Sequence, residues 1–230
     1  MGTWLGVVGG IVGIVVAALG CGILMGCSKG EARSGELVLD PGSFGVFLVY
    51  QDSMPAGRGS AFVLGPGRRV VTCAHAVDQG NRYQLQLAGA VADAGSNLFE
   101  SRVVDLRLVK KYGNRDLAIL EAADPAALEG VEPFELGDWK SLKVGSRITL
   151  IGWDRRLEAM VAIPAVVSGR GIAAEEARRE YIEFEGPSQV GYSGGPVLDA
   201  SGKVVAMVAE AVPLGEGRML NIAYEMWLED

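Results

Sequence analysis

A hydroxyl becomes a useful nucleophile only when a base removes its proton and hydrogen-bond donors receive the oxyanion that follows. The stretch Ser188-Gln189-Val190-Gly191-Tyr192-Ser193-Gly194-Gly195-Pro196-Val197 has the composition to supply the hydroxyl and the donors. Gly191, Gly194 and Gly195 keep Cβ atoms away from the backbone around Ser193, so the amides of Gly191 and Ser193 can turn toward one substrate oxygen. A base is available once. His75, the single histidine of the chain, lies within Val70-Val71-Thr72-Cys73-Ala74-His75-Ala76-Val77, just behind an apolar run that reads as a buried strand. A carboxylate, Asp116, stands in Asn114-Arg115-Asp116-Leu117-Ala118-Ile119-Leu120, immediately before another apolar strand. Each stretch alone also has a plain structural reading: a glycine turn between strands, a packed imidazole, and an aspartate at a strand entry.

Taken together, the three stretches resemble the catalytic triad of the chymotrypsin (trypsin-like) serine protease superfamily. His75 follows a Thr-x-Ala pattern, Asp116 opens an Asp-Leu-Ala-Ile-Leu strand, and Ser193 lies in Gly-Tyr-Ser-Gly-Gly-Pro, in the order His, Asp, Ser. The order excludes a competing match. Gly191-Tyr192-Ser193-Gly194-Gly195 also satisfies the nucleophile elbow of α/β-hydrolases, but there the histidine comes last, and no histidine follows Ser193.

Composition sets the frame around these residues. A chain of 230 residues holds one large or two small cores. Its net charge of −7 argues against nucleic-acid binding through general electrostatics. Of the three cysteines, Cys21 and Cys27 lie in an N-terminal apolar segment, so Cys73 has no disulfide partner within the globular part. The resemblance therefore favours a bacterial member over the multiply bridged animal ones. Cys73 itself reads as a small buried hydrophobe.

Residues 3–27 carry no charged side chain and are long enough to span a bilayer as a helix. Gly6 with Gly10, Gly9 with Gly13, and Gly22 with Gly26 have the spacing that permits close helix contact, or simply reflect composition. No Lys or Arg precedes this stretch, which suits an uncleaved anchor better than a cleaved signal. Leu24-Met25-Gly26-Cys27 also resembles a bacterial lipobox, in which Cys27 would carry lipid. Lys29 and Arg33 weakly favour a cytoplasmic position for that flank, whereas the family resemblance favours a domain outside the cytoplasm.

The expected organisation is an anchor or lipoprotein signal (1–27), a polar linker (28–42), a first β-barrel (43–122), an inter-barrel linker (123–144) and a second β-barrel (145–230). The fold class is thus all-β, with two six-stranded antiparallel barrels behind an N-terminal membrane element. Strand candidates separated by turn signals fall at 46–50, 60–64, 69–72, 83–87, 102–109 and 117–121. A second set falls at 147–151, 159–167, 181–184, 196–198, 203–208 and 220–224. Gly65-Pro66-Gly67 marks a tight turn, 74–78 a single helical turn, and the region around Ala126 a short helix. The charged run at Glu175, Glu176, Arg178, Arg179 and Glu180 reads as a solvated loop. Leu136-Gly137-Asp138 followed by Val144-Gly145 resembles the corresponding passage of HtrA-type (DegP-like) proteases, here without a PDZ domain after Tyr224.

The resemblance implies that Ser193 attacks a peptide carbonyl, His75 serves as base and then acid, and Asp116 fixes the imidazole. The amides of Gly191 and Ser193 would receive the oxyanion, with no metal or organic cofactor. Tyr192 departs from the family, which usually has Asp or Asn there. In digestive members that Asp binds a new N-terminus released by cleavage, so this chain calls for another means of ordering its loop. By position, Pro187 falls where trypsin-type enzymes select basic side chains with an acid, and Met207, Val208 and Ala209 fall on the strand lining the pocket. A small-to-medium aliphatic preference follows. The expected partners are a peptide or protein substrate and a membrane through residues 3–27, with oligomeric state left open. Two alternatives stand beside this reading: a non-catalytic binding module on the same fold, and a membrane-assembly protein whose barrels only recognise partners.

Overall fold

The computed structural model describes residues 13–16, 23–24, 37–92, 99–172, 180–186, 190–215 and 218–226. Twelve strands form two barrels. The first contains β1 (Phe44–Gln51), β2 (Met54–Leu64), β3 (Arg69–Thr72), β4 (Arg82–Ala92), β5 (Phe99–Tyr112) and β6 (Leu117–Ala122). The second contains β7 (Arg147–Asp154), β8 (Ala159–Ile172), β9 (Glu180–Glu185), β10 (Pro196–Leu198), β11 (Val204–Gly215) and β12 (Arg218–Glu225). The first ring closes in the order β1-β2-β3-β6-β5-β4. The second repeats that order as β7-β8-β9-β12-β11-β10, every pair antiparallel. Closure gives every barrel strand a hydrogen-bonded neighbour on each side, which is how small all-β folds avoid free edge strands.

Each ring closes because its strands present apolar side chains inward. Phe44, Phe47, Phe62, Val63, Leu85 and Leu120 are fully buried in the first barrel. Ile148, Leu150, Ile182, Phe184 and Val197 fill the second. Truncating such a core aromatic, for example Phe62→Ala, costs about 3–5 kcal/mol. The first core does not stop at the first barrel: it continues through Ile151, Trp153, Met160, Leu198 and Met207, so apolar packing fixes one barrel against the other.

The connecting segment fastens both barrels as well. Phe134 exchanges backbone hydrogen bonds with Val63 and Gly65 of the first barrel, and Gly137 and Glu135 bond to Val204 of the second. Short 3-10 turns at Pro125–Leu128 and Trp139–Ser141 are capped by the side chains of Asp124 and Asp138. The first of these is the short helix expected around Ala126.

All twelve expected strands are present, and several run longer. β5 continues through Lys110, Lys111 and Tyr112 because the β6 ladder persists to the Tyr112–Leu117 pair. β8 continues past Ser168 and Gly169 because a bulge between Val167 and Gly169 lets it turn onto β9. Pairing partners, invisible to local alternation, set both ends.

Of the expected membrane segment at 3–27, two short stretches are described, and both are extended. Gly13–Val16 runs parallel to Ala159–Ala162, and Ile23–Leu24 runs parallel to Leu37–Val38. No helix among the described residues is long and apolar enough to cross a membrane. The rest of that segment, Cys27, the linker up to residue 36, Pro187 and most of the charged run at 175–180 lie outside the described residues.

Candidate active site

β3 ends at Thr72 and the chain turns through Cys73 into a single helical turn, α1 (Ala74–Val77). Ala74, Ala76 and Val77 are buried, which turns His75 outward, and its side chain keeps 46% of its exposure. β5 leads into a 3-10 turn at Gly113–Arg115, and Asp116 follows in the left-handed conformation with φ 50°. Aspartate tolerates that region better than most side chains, and the bend delivers its carboxylate to α1 just before β6 begins.

The carboxylate grips His75 twice. One oxygen accepts the His75 backbone N–H at 2.9 Å, and the other lies 2.7 Å from the ring Nδ1. Nδ1–H therefore donates to Asp116, and Nε2 is left as the basic nitrogen. The hydrogen bond to Asp116 raises the His75 pKa above its ordinary value; partial burial opposes this, and the Asp116, Glu210 and Asp78 charges add to it.

Ser193 comes from the loop that enters β10, and first-barrel residues hold this loop in place. The Ser60 N–H donates to the Ser193 carbonyl at 2.9 Å, while the Ser60 hydroxyl donates to the Gly191 carbonyl at 2.7 Å. The same hydroxyl accepts the Trp153 N–H at 2.8 Å, and the Thr72 hydroxyl donates to the Ser60 carbonyl. From β11, the Val208 carbonyl accepts the Gly194 N–H and the Cys73 thiol. Gly194 has φ +85°, and a Cβ there would lie 2.2 Å from the Ser60 carbonyl oxygen, so only glycine lets the loop approach this closely.

The Tyr192 carbonyl accepts the Gly195 N–H at 2.9 Å. Peptide planarity then directs the Ser193 N–H, on the far side of the same peptide unit, away from Gly195. Gly191 has φ +119°, and a Cβ there would meet the Trp153 carbonyl oxygen at 2.7 Å. The Ser193 hydroxyl itself donates to the Ala209 carbonyl at 3.3 Å. To engage Nε2 of His75 it has to leave that acceptor, a side-chain rotation of the kind substrate binding commonly brings about.

Among the residues expected to line a specificity pocket, Met207 and Val208 are 2% and 1% exposed and lie in the two cores. Ala209, also buried, touches the serine through its carbonyl. Cys73 is fully buried, as its reading as a small hydrophobe expects. Its sulfur joins His75 and Asp116 in a group whose ligand atoms lie within 4.8 Å. Each member already has a hydrogen-bond partner, so the group is organised as an acid–base pair beside a packed thiol.

Sequence reasoning missed Ser60. Its signal was a hydroxyl within the otherwise apolar run Ser60-Ala61-Phe62-Val63, a polar residue on strand positions that are buried on both faces. It also missed Asp154 at the end of β7. The Tyr192 hydroxyl donates to Asp154 at 3.0 Å, and both side chains are buried.

Two closed barrels with a His–Asp pair on one and a glycine-bound serine on the other define the class of two-barrel serine proteases. The trypsin-like peptidase domain model matches residues 59–207, more than half of the chain, and the chain belongs to that family. A probable periplasmic serine endoprotease, DegP-like, from Brucella suis is 30% identical over 172 residues, covering 74% of this chain and 30% of the relative. The chain thus spans about a third of that curated relative. Among solved structures, the HtrA-type protease AlgW with a tripeptide superposes with a TM-score of 0.66 at 17% identity, covering 81% of this chain and 57% of that one. The active form of the Rv3671c protease from M. tuberculosis gives 0.62 at 18% identity, covering 80% and 76%. At those identities the two structures bear on fold alone.

Proposed function

We propose that this chain is an HtrA-type serine endopeptidase whose triad is Ser193, His75 and Asp116. The observation that carries the reading is the double grip of Asp116 on His75, which ties up Nδ1 and leaves Nε2 free to act as the base. Ser193 leaves the Ala209 carbonyl, gives its proton to Nε2 and attacks the substrate carbonyl. The peptide C–N bond breaks as His75 returns the proton to the leaving amine, and a water deprotonated by His75 then hydrolyses the acyl-enzyme and restores Ser193. Asp116 keeps the ring in the required tautomer and stabilises the imidazolium. The amides of Gly191 and Ser193 receive the oxyanion. Losing one such donor costs about 3–4 kcal/mol of transition-state stabilisation.

The substrate is a peptide or protein, with a small-to-medium aliphatic side chain preferred at the cleaved position. Residues 3–27 attach the chain to a membrane, as a span or by lipid at Cys27, with the barrels outside the cytoplasm. Support for that location comes from the periplasmic description of the Brucella relative. A serine-reactive fluorophosphonate applied to the full-length protein in detergent is expected to modify Ser193, and His75→Ala is expected to abolish the adduct. No adduct on the wild type would instead favour the non-catalytic binding module.

A further inference from the structure

Tyr192 stands between the two amides assigned to the oxyanion. Its side chain is 1% exposed and runs back under β7, where its hydroxyl donates to Asp154 at 3.0 Å. Gly152 makes the space: a Cβ there would meet the Tyr192 ring at 2.8 Å. Asp154, 4% exposed, is itself anchored, since its other oxygen accepts the N–H groups of Arg156 at 2.8 Å and Leu157 at 3.1 Å in the β7–β8 turn. Burial and Asp154 push the ionisation of the phenol far above its ordinary range, so the hydroxyl remains a donor.

Both peptide units flanking Tyr192 bear on catalysis. The unit before it carries the Gly191 carbonyl held by Ser60, and the unit after it carries the Ser193 N–H. A side chain fixed at its far end holds the Cα between these units. We propose that the Tyr192–Asp154 hydrogen bond is the internal lock that keeps the oxyanion loop in its active shape, making Tyr192 and Asp154 positioning residues. The lock links the loop to an exposed hairpin turn and needs no newly released chain terminus. It rests on the serine-protease reading for its catalytic consequence but not for its structural one.

The test uses full-length protein, Tyr192→Phe, Asp154→Ala and the double variant. With a chromogenic peptide, Tyr192→Phe is expected to lower kcat about tenfold or more with KM within about twofold, as loss of a hydrogen bond to a buried charged group predicts. Hydrogen exchange of the Gly194 and Gly195 amides is expected to accelerate by a similar factor, while β7 keeps wild-type protection. The double variant is expected to be no worse than the poorer single one, because both substitutions remove the same bond. Unchanged exchange at 190–195 in Tyr192→Phe would overturn the proposal. So would acceleration spread evenly over the second barrel, or losses that simply add. If the wild type takes no fluorophosphonate yet the loop still loosens in Tyr192→Phe, the protease reading fails and the lock stands.

Discussion

The two barrels share one strand order and contribute to the site in different ways. The first delivers His75 and Asp116 from a helical turn and a 3-10 turn, each pinned to a strand end, and joins them by two hydrogen bonds within the same barrel. The second delivers Ser193 on a glycine loop whose carbonyls are held by Ser60 of the other barrel. Its serine rests on the Ala209 carbonyl rather than on the base. The proposed acid–base half is complete within its own barrel, whereas the proposed nucleophile half is completed by its neighbour. Duplicated topology therefore provides two frames of equal shape, and the loops between strands decide which frame carries fixed chemistry and which carries chemistry that must be held.

The largest test of this contrast is removal of the groups proposed to react. Ser193→Ala and His75→Ala are each expected to lower kcat about 10⁶-fold, measured by peptide hydrolysis. Nearly equal losses, with thermal unfolding kept close to wild type, would show that the two halves act as one unit. Asp116→Asn probes the self-contained half. It is expected to cost about 10⁴-fold in kcat because the imidazole loses its required tautomer.

Ser60→Ala probes the dependent half. It removes the hydroxyl that donates to Gly191 and accepts from Trp153, at a cost of about 1–3 kcal/mol in denaturant unfolding. Activity is expected to fall with it while the His75–Asp116 pair stays intact. An activity loss in Ser60→Ala as large as that in Ser193→Ala would erase the distinction between holding and reacting.

The smallest effect is in pH dependence. In the proposed mechanism His75 has to be neutral to accept the serine proton, and Asp116 raises its pKa above the ordinary 6.5. The acidic limb of kcat/KM is therefore expected above that value, and lower in Asp116→Asn. For stability the sign is opposite. A raised folded-state pKa contributes stability that is fully present below pH 6.5 and lost as pH rises through the raised value. Unfolding free energies on either side of that window, in wild type and Asp116→Asn, measure it.

Much of this was legible in sequence because its signals are local. Apolar runs between turn residues located all twelve strands, and the residues beside His75, Asp116 and Ser193 have the types that strand-end turns need. What stayed hidden depends on distant pairing. Ser60 shows no local sign of bonding to a loop more than a hundred residues away, and a tyrosine beside a serine does not announce an aspartate at the end of β7.

By itself, the sequence determined which atoms could do chemistry, in what chain order, and on which short elements they would sit. Side-chain type and alternation are properties of neighbours along the chain. Only the tertiary structure decided that Asp116 holds His75 by two bonds, that Ser60 secures the nucleophile loop, and that Tyr192 reaches Asp154 past Gly152. Those contacts depend on how two closed barrels pack against each other, and burial fixes that packing through residues spread from Leu39 to Met226.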